Sequence, residues 1–106
     1  MRKISIGIGW RGDDTDAVLR EARAADDAGV DSLFVAETWG HDAFTILALI
    51  ARETKRIKLG TSIVNIYSRS PAALAQHFAT LDELSGGRMI AGFGTSGIQV
   101  LSLIHI

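Results

Sequence analysis

A chain of 106 residues, 47% hydrophobic and 22% charged, has the make-up of one soluble globular domain or part of one. Its formal net charge of -1, with acids and bases interspersed, offers no basic face to a phosphate backbone, and the apolar stretch after Lys3 is short and broken by Gly7 and Gly9. A cytoplasmic chain is therefore expected, with neither nucleic acid nor a membrane as partner, and the absence of cysteine removes disulfides, thiolate nucleophiles and sulfur-ligated zinc from its chemistry.

Lys3 to Gly9 alternates and is rich in isoleucine, which predicts a first strand, followed by a loop from Trp10 to Asp14. Asp14-Thr15-Asp16 supplies capping oxygens and negative charge where a helix N-terminus is positive. Val18, Leu19, Ala22, Ala25 and Ala28 then follow at helical spacing, with Gly29 as the residue after the C-cap. Ser32 to Ala36 is a short, nearly continuous apolar run, the pattern of a strand buried on both faces of a parallel sheet, and a polar loop runs from Glu37 to His41.

Asp42 can cap a second helix in which Phe44, Ile46, Leu47, Leu49 and Ile50 are apolar enough to require cover, and which ends near Thr54. Ile57 to Ile63 reads as the third strand. Ser70-Pro71 is a cap followed by proline at the first helical position, where its missing N–H costs nothing, and Leu74, Phe78, Leu81 and Leu84 mark the buried stripe of a third helix. Gly86-Gly87 stops that helix before a fourth strand, Arg88 to Phe93, whose end is crowded by Gly92, Gly94 and Gly97.

The order is β-α-β-α-β-α-β with a repeat of roughly 28 residues, the size of a right-handed crossover unit. Two α/β architectures take this pattern: an open doubly wound sheet, which closes within this length, and a (β/α)8 TIM barrel, which needs eight strands and about 250 residues. Length alone favours the open sheet. Against it, no Gly-rich turn follows the first strand at dinucleotide spacing, and polar residues recur after every strand instead of at one switch point.

Four stretches decide the matter: Ala28-Gly29-Val30-Asp31-Ser32-Leu33-Phe34-Val35-Ala36-Glu37, Arg56-Ile57-Lys58-Leu59-Gly60-Thr61, Ser68-Arg69-Ser70-Pro71 and Thr80-Leu81-Asp82-Glu83-Leu84-Ser85-Gly86-Gly87-Arg88. In order and spacing they resemble the bacterial-luciferase-like oxidoreductase family. The segment Gly92 to Val100 looks most like its deazaflavin-dependent branch. The resemblance covers residues 3 to 100 and implies a truncated TIM barrel, its first four parallel strands and three helices, from a parent that is usually a homodimer. Leu101 to Ile106 fits nothing in the family and matches the translation of a sequencing-library adapter, so a non-native tail is expected there.

In a β/α barrel the site forms at the C-terminal ends of the strands, which selects few positions. After the first strand, Gly7, Ile8 and Gly9 can let a planar ring approach the backbone. After the second, Trp39 can stack on a ring or substrate, and Glu37 or His41 can serve as acid or base; Asp42 is expected chiefly to cap its helix. The resemblance places a cis peptide bond at Ser62-Ile63, where the family's bulge backs a flavin ring. Gly94 and Thr95 can meet a ring or phosphate through backbone N–H groups. One departure stands out: several deazaflavin enzymes of the family carry a glutamate proton donor where this chain has Gly97.

The resemblance thus implies hydride transfer between coenzyme F-420, a deazaflavin, and a small organic substrate such as an alcohol, hemiacetal or pterin. An FMN-dependent monooxygenase is the alternative within the family. Two other classes are a flavin-binding protein without turnover, which Gly97 would permit, and a metal-dependent hydrolase using Glu37, His41 and Asp42. That trio lies on one loop with no ligand from another strand, a poor metal site, so no metal is expected. His77 and Arg69 are read as structural, the latter fixing the loop after the third strand. The fragment by itself is expected to be inactive.

Overall fold

The computed structural model describes residues 3–10, 14–37 and 41–95. Trp39, Gly97 and the segment 101–106 lie outside the described residues.

The predicted alternation of strand and helix is present. The elements are β1 (Ser5–Ile8), α1 (Thr15–Asp27), β2 (Ser32–Val35), α2 (Ala43–Glu53), β3 (Lys58–Thr61), β4 (Val64–Asn65), α3 (Pro71–Leu84), β5 (Met89–Ile90) and β6 (Phe93–Gly94). Each helix begins where a local side chain satisfies a free backbone N–H: Asp14 accepts from Ala17 N at 3.0 Å, Asp42 from Thr45 N at 2.9 Å and Ser70 from Ala73 N at 3.1 Å. Gly29 follows the α1 cap at φ 81°, and Gly86 and Gly87 follow α3 at φ 71° and 86°, a backbone region that only glycine enters without penalty.

Strands β1, β2, β3 and β5 form one parallel sheet in that order. Parallel neighbours joined by helical crossovers are what a barrel wall is made of. Because side chains alternate along a strand, one face of the sheet carries Ile6, Ile8, Leu33, Val35, Leu59 and Met89. These pack with Val18, Ala22 and Ala25 of α1, with Phe44, Ile46, Leu47 and Ile50 of α2 and with Leu81 of α3 in a single core. Each such leucine or isoleucine contributes roughly 1.5–3 kcal/mol on leaving water. The opposite face carries the register row Gly7, Phe34, Gly60, Ile90 and is the wall that would face a barrel's interior.

Two predicted strands differ from those observed. The third, expected to run to Ile63, stops at Thr61, and the chain resumes as β4 after a cis Ser62–Ile63 peptide bond, at the position the resemblance implied. The fourth, expected as one strand from Arg88 to Phe93, divides into β5 and β6, and β6 pairs in parallel with β4. The cause lies in Thr61 and Gly92. The Thr61 hydroxyl donates to Gly92 O at 2.6 Å and accepts from Gly92 N at 3.0 Å, replacing the regular ladder with a side-chain bridge. The two backbones come so close that a Cβ on Gly92 would stand 1.9 Å from Thr61 O.

The α3 stripe is also less covered than its spacing predicts: Leu81 is buried, whereas Leu84 is 63% exposed beside the short side chains of Thr45 and Ala48. On α2, Leu49 likewise faces outward while Ile46, Leu47 and Ile50 are fully enclosed.

The N-terminal end of the sheet is closed by hydrogen bonds. Buried Asp26 accepts from the backbone N–H groups of Lys55, Arg56 and Ile57 at 2.8–2.9 Å. Arg88 donates to Ser85 O, Thr54 Oγ1, Ile57 O, Ala51 O and Thr54 O. Burial pushes the Asp26 carboxyl up, but the three N–H donors and the charge of Arg56 outweigh it and leave the group below the usual aspartate value. Burial conversely lowers the Arg88 guanidinium, against the attraction of Asp26.

Candidate functional site

At the opposite, C-terminal end of the strands the backbone opens into a cavity of about 270 Å³ lined by Gly7, Ile8, Gly9, Phe34, Ala36 and Ser62. It collects the ends of β1, β2 and β3, the three strand tips that the crossover pattern aligns. Its floor is kept low by glycine: an ideal Cβ on Gly7 or Gly9 meets nothing within 4 Å, so open space lies directly over the main chain there. At Gly60 the reason is different. A Cβ there would sit 2.5 Å from Phe34 Cε1, so glycine lets the Phe34 ring lie across β3 and form an apolar wall. Backbone amides, one aromatic wall and the Ser62 hydroxyl make a slot suited to a flat heterocycle.

Of the residues expected at this end, Gly7, Ile8 and Ser62 line the cavity. Ile63, Gly94 and Thr95 are not among its lining residues and gather at the β4–β6 pair: a Cβ on Gly94 would come 2.8 Å from Ile63 Cδ1, and Thr95 O accepts from Asn65 Nδ2 at 3.3 Å. Asp42 caps α2, as expected of it.

Glu37 stands two residues after the end of β2, and both of its carboxylate oxygens are engaged. Arg69 Nη1 donates to its Oε1 at 2.7 Å and Arg69 Nη2 to its Oε2 at 2.8 Å, while Ala43 N donates to Oε2 at 2.8 Å. Its own backbone N–H points to Ile63 O at 3.4 Å. The side chains of Arg69 and Glu37 are only 18% and 14% exposed. This two-pronged pair is therefore much less screened than the open Arg23–Glu53 pair on the helix surface, which belongs to a class worth about 0.2–1 kcal/mol. The hydrogen bond to Glu37 raises the Arg69 pKa above its ordinary value, burial opposes the rise, and the charges of Glu37 and Asp42 support it. Arg69 also lies over the Phe44 ring, 4.9 Å from its centre. Proton transfer at Glu37 would require this pair to open.

His41 is exposed, with its ring centre 4.6 Å from that of Trp10 and tilted by 54°. Trp10 Nε1 donates to Thr15 Oγ1 at 3.3 Å, which fixes the indole at the end of β1. His41 thus stands against Trp10, the residue that follows cavity-lining Gly9. His77 is stacked on Phe44, ring centres 4.7 Å apart and 17° from parallel, consistent with a packing role. Among the described residues no group of three or more His, Asp or Glu could hold a metal ion, and no helix is long and apolar enough to cross a membrane.

Three participants were not singled out from the sequence: Trp10 as the partner of His41, Phe34 as the cavity wall and Arg69 as the partner of Glu37. Phe34 left a trace there as the aromatic residue in a strand of aliphatic neighbours, and Arg69 as a structural residue fixing the loop after the third strand, without its partner.

The family model for luciferase-like monooxygenases matches residues 4–102. Rv3520c of Mycobacterium tuberculosis, assigned as a coenzyme F-420-dependent oxidoreductase, is 53% identical over 78 residues, 74% of this chain and 22% of that protein. Among solved structures, the monooxygenase RslO1 from Streptomyces bottropensis superposes with a TM-score of 0.85 at 28% identity, over 97% of this chain and 37% of its own. The coenzyme F-420-dependent tetrahydromethanopterin reductase from Methanopyrus kandleri gives 0.84 at 30% identity, over 99% and 31%. The chain therefore spans between about a fifth and two fifths of these proteins.

Proposed function

The chain belongs to the luciferase-like monooxygenase family, and we propose that it is the N-terminal part of an oxidoreductase that transfers a hydride between coenzyme F-420 and a small organic substrate. Its truncated-barrel architecture places the cavity of Gly7, Gly9, Phe34 and Ser62 where a barrel of this kind does its chemistry. That cavity is the observation carrying the proposal. Identity to Rv3520c of 53% favours the deazaflavin over FMN.

The cavity residues fit a tricyclic ring. Gly7 and Gly9 present main chain without side chains, and no atom stands within 4 Å of where their Cβ atoms would be, so a planar group can lie against the backbone. Phe34 excludes water from one side and the Ser62 hydroxyl offers a polar contact at the rim. When bound, the ring would supply the hydride-accepting or hydride-donating carbon. His41, braced by Trp10, is the group placed to move the accompanying proton in exchange with solvent. Glu37 and Trp39 were the other expected participants: Glu37 is held by Arg69, and Trp39 lies outside the described residues.

FMN-dependent monooxygenation is the second reading; the likeness to RslO1, a monooxygenase, supports the oxygenating reaction, and a slot shaped for one tricyclic ring would suit the other. A further part of the proposal is that residues 1–106 alone have no turnover. Among the described residues the outer edges of β1 and β5 have no strand beside them, Phe93 is 59% exposed, and an apolar groove of Ile66, Leu74, Phe78 and Phe93 lies open, features that favour association over function.

The test is to complete the barrel from the downstream reading frame and record absorption spectra with each cofactor, then turnover with the reduced form. A perturbed deazaflavin band with substrate-dependent bleaching or recovery is expected. A perturbed flavin band with oxygen consumption selects the monooxygenase, binding without turnover selects a carrier, and no spectral change with either ring rejects the proposal.

A further inference from the structure

Glu37 bonds to several separate segments around the cavity. It directly follows cavity-lining Ala36, and its backbone N–H points to Ile63 O, next to cavity-lining Ser62. Its carboxylate takes the Ala43 N–H at the start of α2, two residues beyond His41. Its two oxygens take both Nη groups of Arg69, which stands one residue before the cap of α3. Glu37 thus ties four segments together: its carboxylate holds the beginning of α2 and the approach to α3, and its backbone joins the end of β2 to the bulge after β3.

From this junction we infer that Glu37 and Arg69 are a positioning pair, which fixes the spacing of the cavity rim and the placement of His41, and that neither carries the reaction's proton. The inference rests on the reading of the cavity as a cofactor slot. Three observations on the pair itself carry it. Both Glu37 oxygens accept from donors on fixed backbone or on a planar fork, three hydrogen bonds in all, so the carboxylate would have to give up bonds to Arg69 or Ala43 to turn toward a substrate. The pair is largely shielded from water, so it keeps its geometry where an open pair would exchange partners with solvent. Arg69 is further restrained by the Phe44 ring beneath it, itself buried in the core. A proton carrier needs access to its substrate, whereas a bracket needs the reverse.

The pair also explains a feature of the sequence. Arg69 precedes Ser70-Pro71 in a segment where the N-cap and proline already define the helix start, so a long cation is not needed to begin α3. It is needed to reach Glu37, 32 positions away.

The test compares Glu37→Gln, Arg69→Gln, the double variant and Arg69→Lys with the parent chain. In the 106-residue chain, amide exchange is followed at Ala43 and at residue 37. In the completed barrel, cofactor affinity and turnover are followed across pH. Each glutamine single variant leaves one buried member of the pair without its charge partner and is expected to speed exchange at both amides and weaken cofactor binding, each by about tenfold. The double variant restores a neutral amide–amide contact and is expected to regain most of both losses and most of the turnover. Its pH profile should match that of the parent, and Arg69→Lys should fall between parent and Arg69→Gln.

Unchanged exchange in both single variants overturns the inference. So does a double variant that recovers exchange and affinity yet stays as slow as Glu37→Gln, because glutamine cannot carry a proton and the loss would then be chemical. If the parent barrel takes up neither ring, the cofactor reading fails by itself, and the exchange data still decide whether this pair holds the rim.

Discussion

The two ends of the sheet are built from the same parallel strands and treat their polar groups in opposite ways. At the N-terminal end, Asp26 and Arg88 each bind backbone of segments far along the chain and leave little room. At the C-terminal end, glycines strip the backbone bare and Ser62 is exposed, while the Glu37–Arg69 pair and buried Asn65 hold the segments that follow the strands. The difference is a division of labour along the strand axis: one end closes the fold, and the other leaves backbone uncovered at some cost in burial.

That contrast is sharpest where a change at one end should unfold the chain and a change at the other should not. Arg88→Ala strips donors from four carbonyl groups and the Thr54 hydroxyl and is expected to cost about 4 kcal/mol, read as a fall in the denaturant midpoint. Gly92→Ala follows closely at about 3 kcal/mol, since its Cβ would press into Thr61 O at 1.9 Å and backbone cannot step aside as a side chain does. An unaltered midpoint for Gly92→Ala would mean that Thr61 and Gly92 do not set the strand break.

Asp26→Asn keeps the shape but loses the charge that draws in three N–H donors, a loss of about 2 kcal/mol at neutral pH. Its folded pKa lies below the unfolded value, so its contribution is complete above about pH 4 and disappears as the pH falls through the folded pKa. Unfolding followed from pH 7 downward should therefore show a shallower acid limb in Asp26→Asn than in the parent. The smallest effect on stability, under about 0.5 kcal/mol, is expected for His41→Ala, because the ring is exposed. In the completed barrel the same change should slow turnover about a hundredfold, a separation of stability from activity that kinetics beside a melting curve can check.

How much of this was legible beforehand follows the distance over which each signal acts. Asp14, Asp42 and Ser70 announce their helices because a cap acts on an N–H three residues away, and Gly29 announces a stop because its left-handed φ is a property of one residue. The apolar runs of β2 and β3 identify parallel strands by composition alone. The division of the fourth strand into β5 and β6 was not legible, since it depends on a hydroxyl 31 positions away. The pairing of Glu37 with Arg69 escaped for the same reason: Glu37 reads as a candidate acid or base and Arg69 as a residue fixing its own loop, and only folding joins them. The cavity was half legible. Gly7 and Ser62 lie where any barrel strand ends, but the Phe34 wall depends on cross-strand register with Gly60, which no local pattern announces. The cis bond at Ser62–Ile63 came from family resemblance and not from the residues' own chemistry.

The central claim is that the open backbone at Gly7 is kept bare for a flat ring, and Gly7→Val in the completed barrel tests it most directly by titration with coenzyme F-420 and with FMN. Since no atom lies within 4 Å of the Gly7 Cβ position and glycine within a strand lowers stability by roughly 0.5–1 kcal/mol relative to alanine, the valine should leave the melting temperature equal or higher. Uptake of the ring should fall at least about tenfold as the side chain fills the slot. A stable Gly7→Val protein that binds either ring as tightly as the parent would contradict the account.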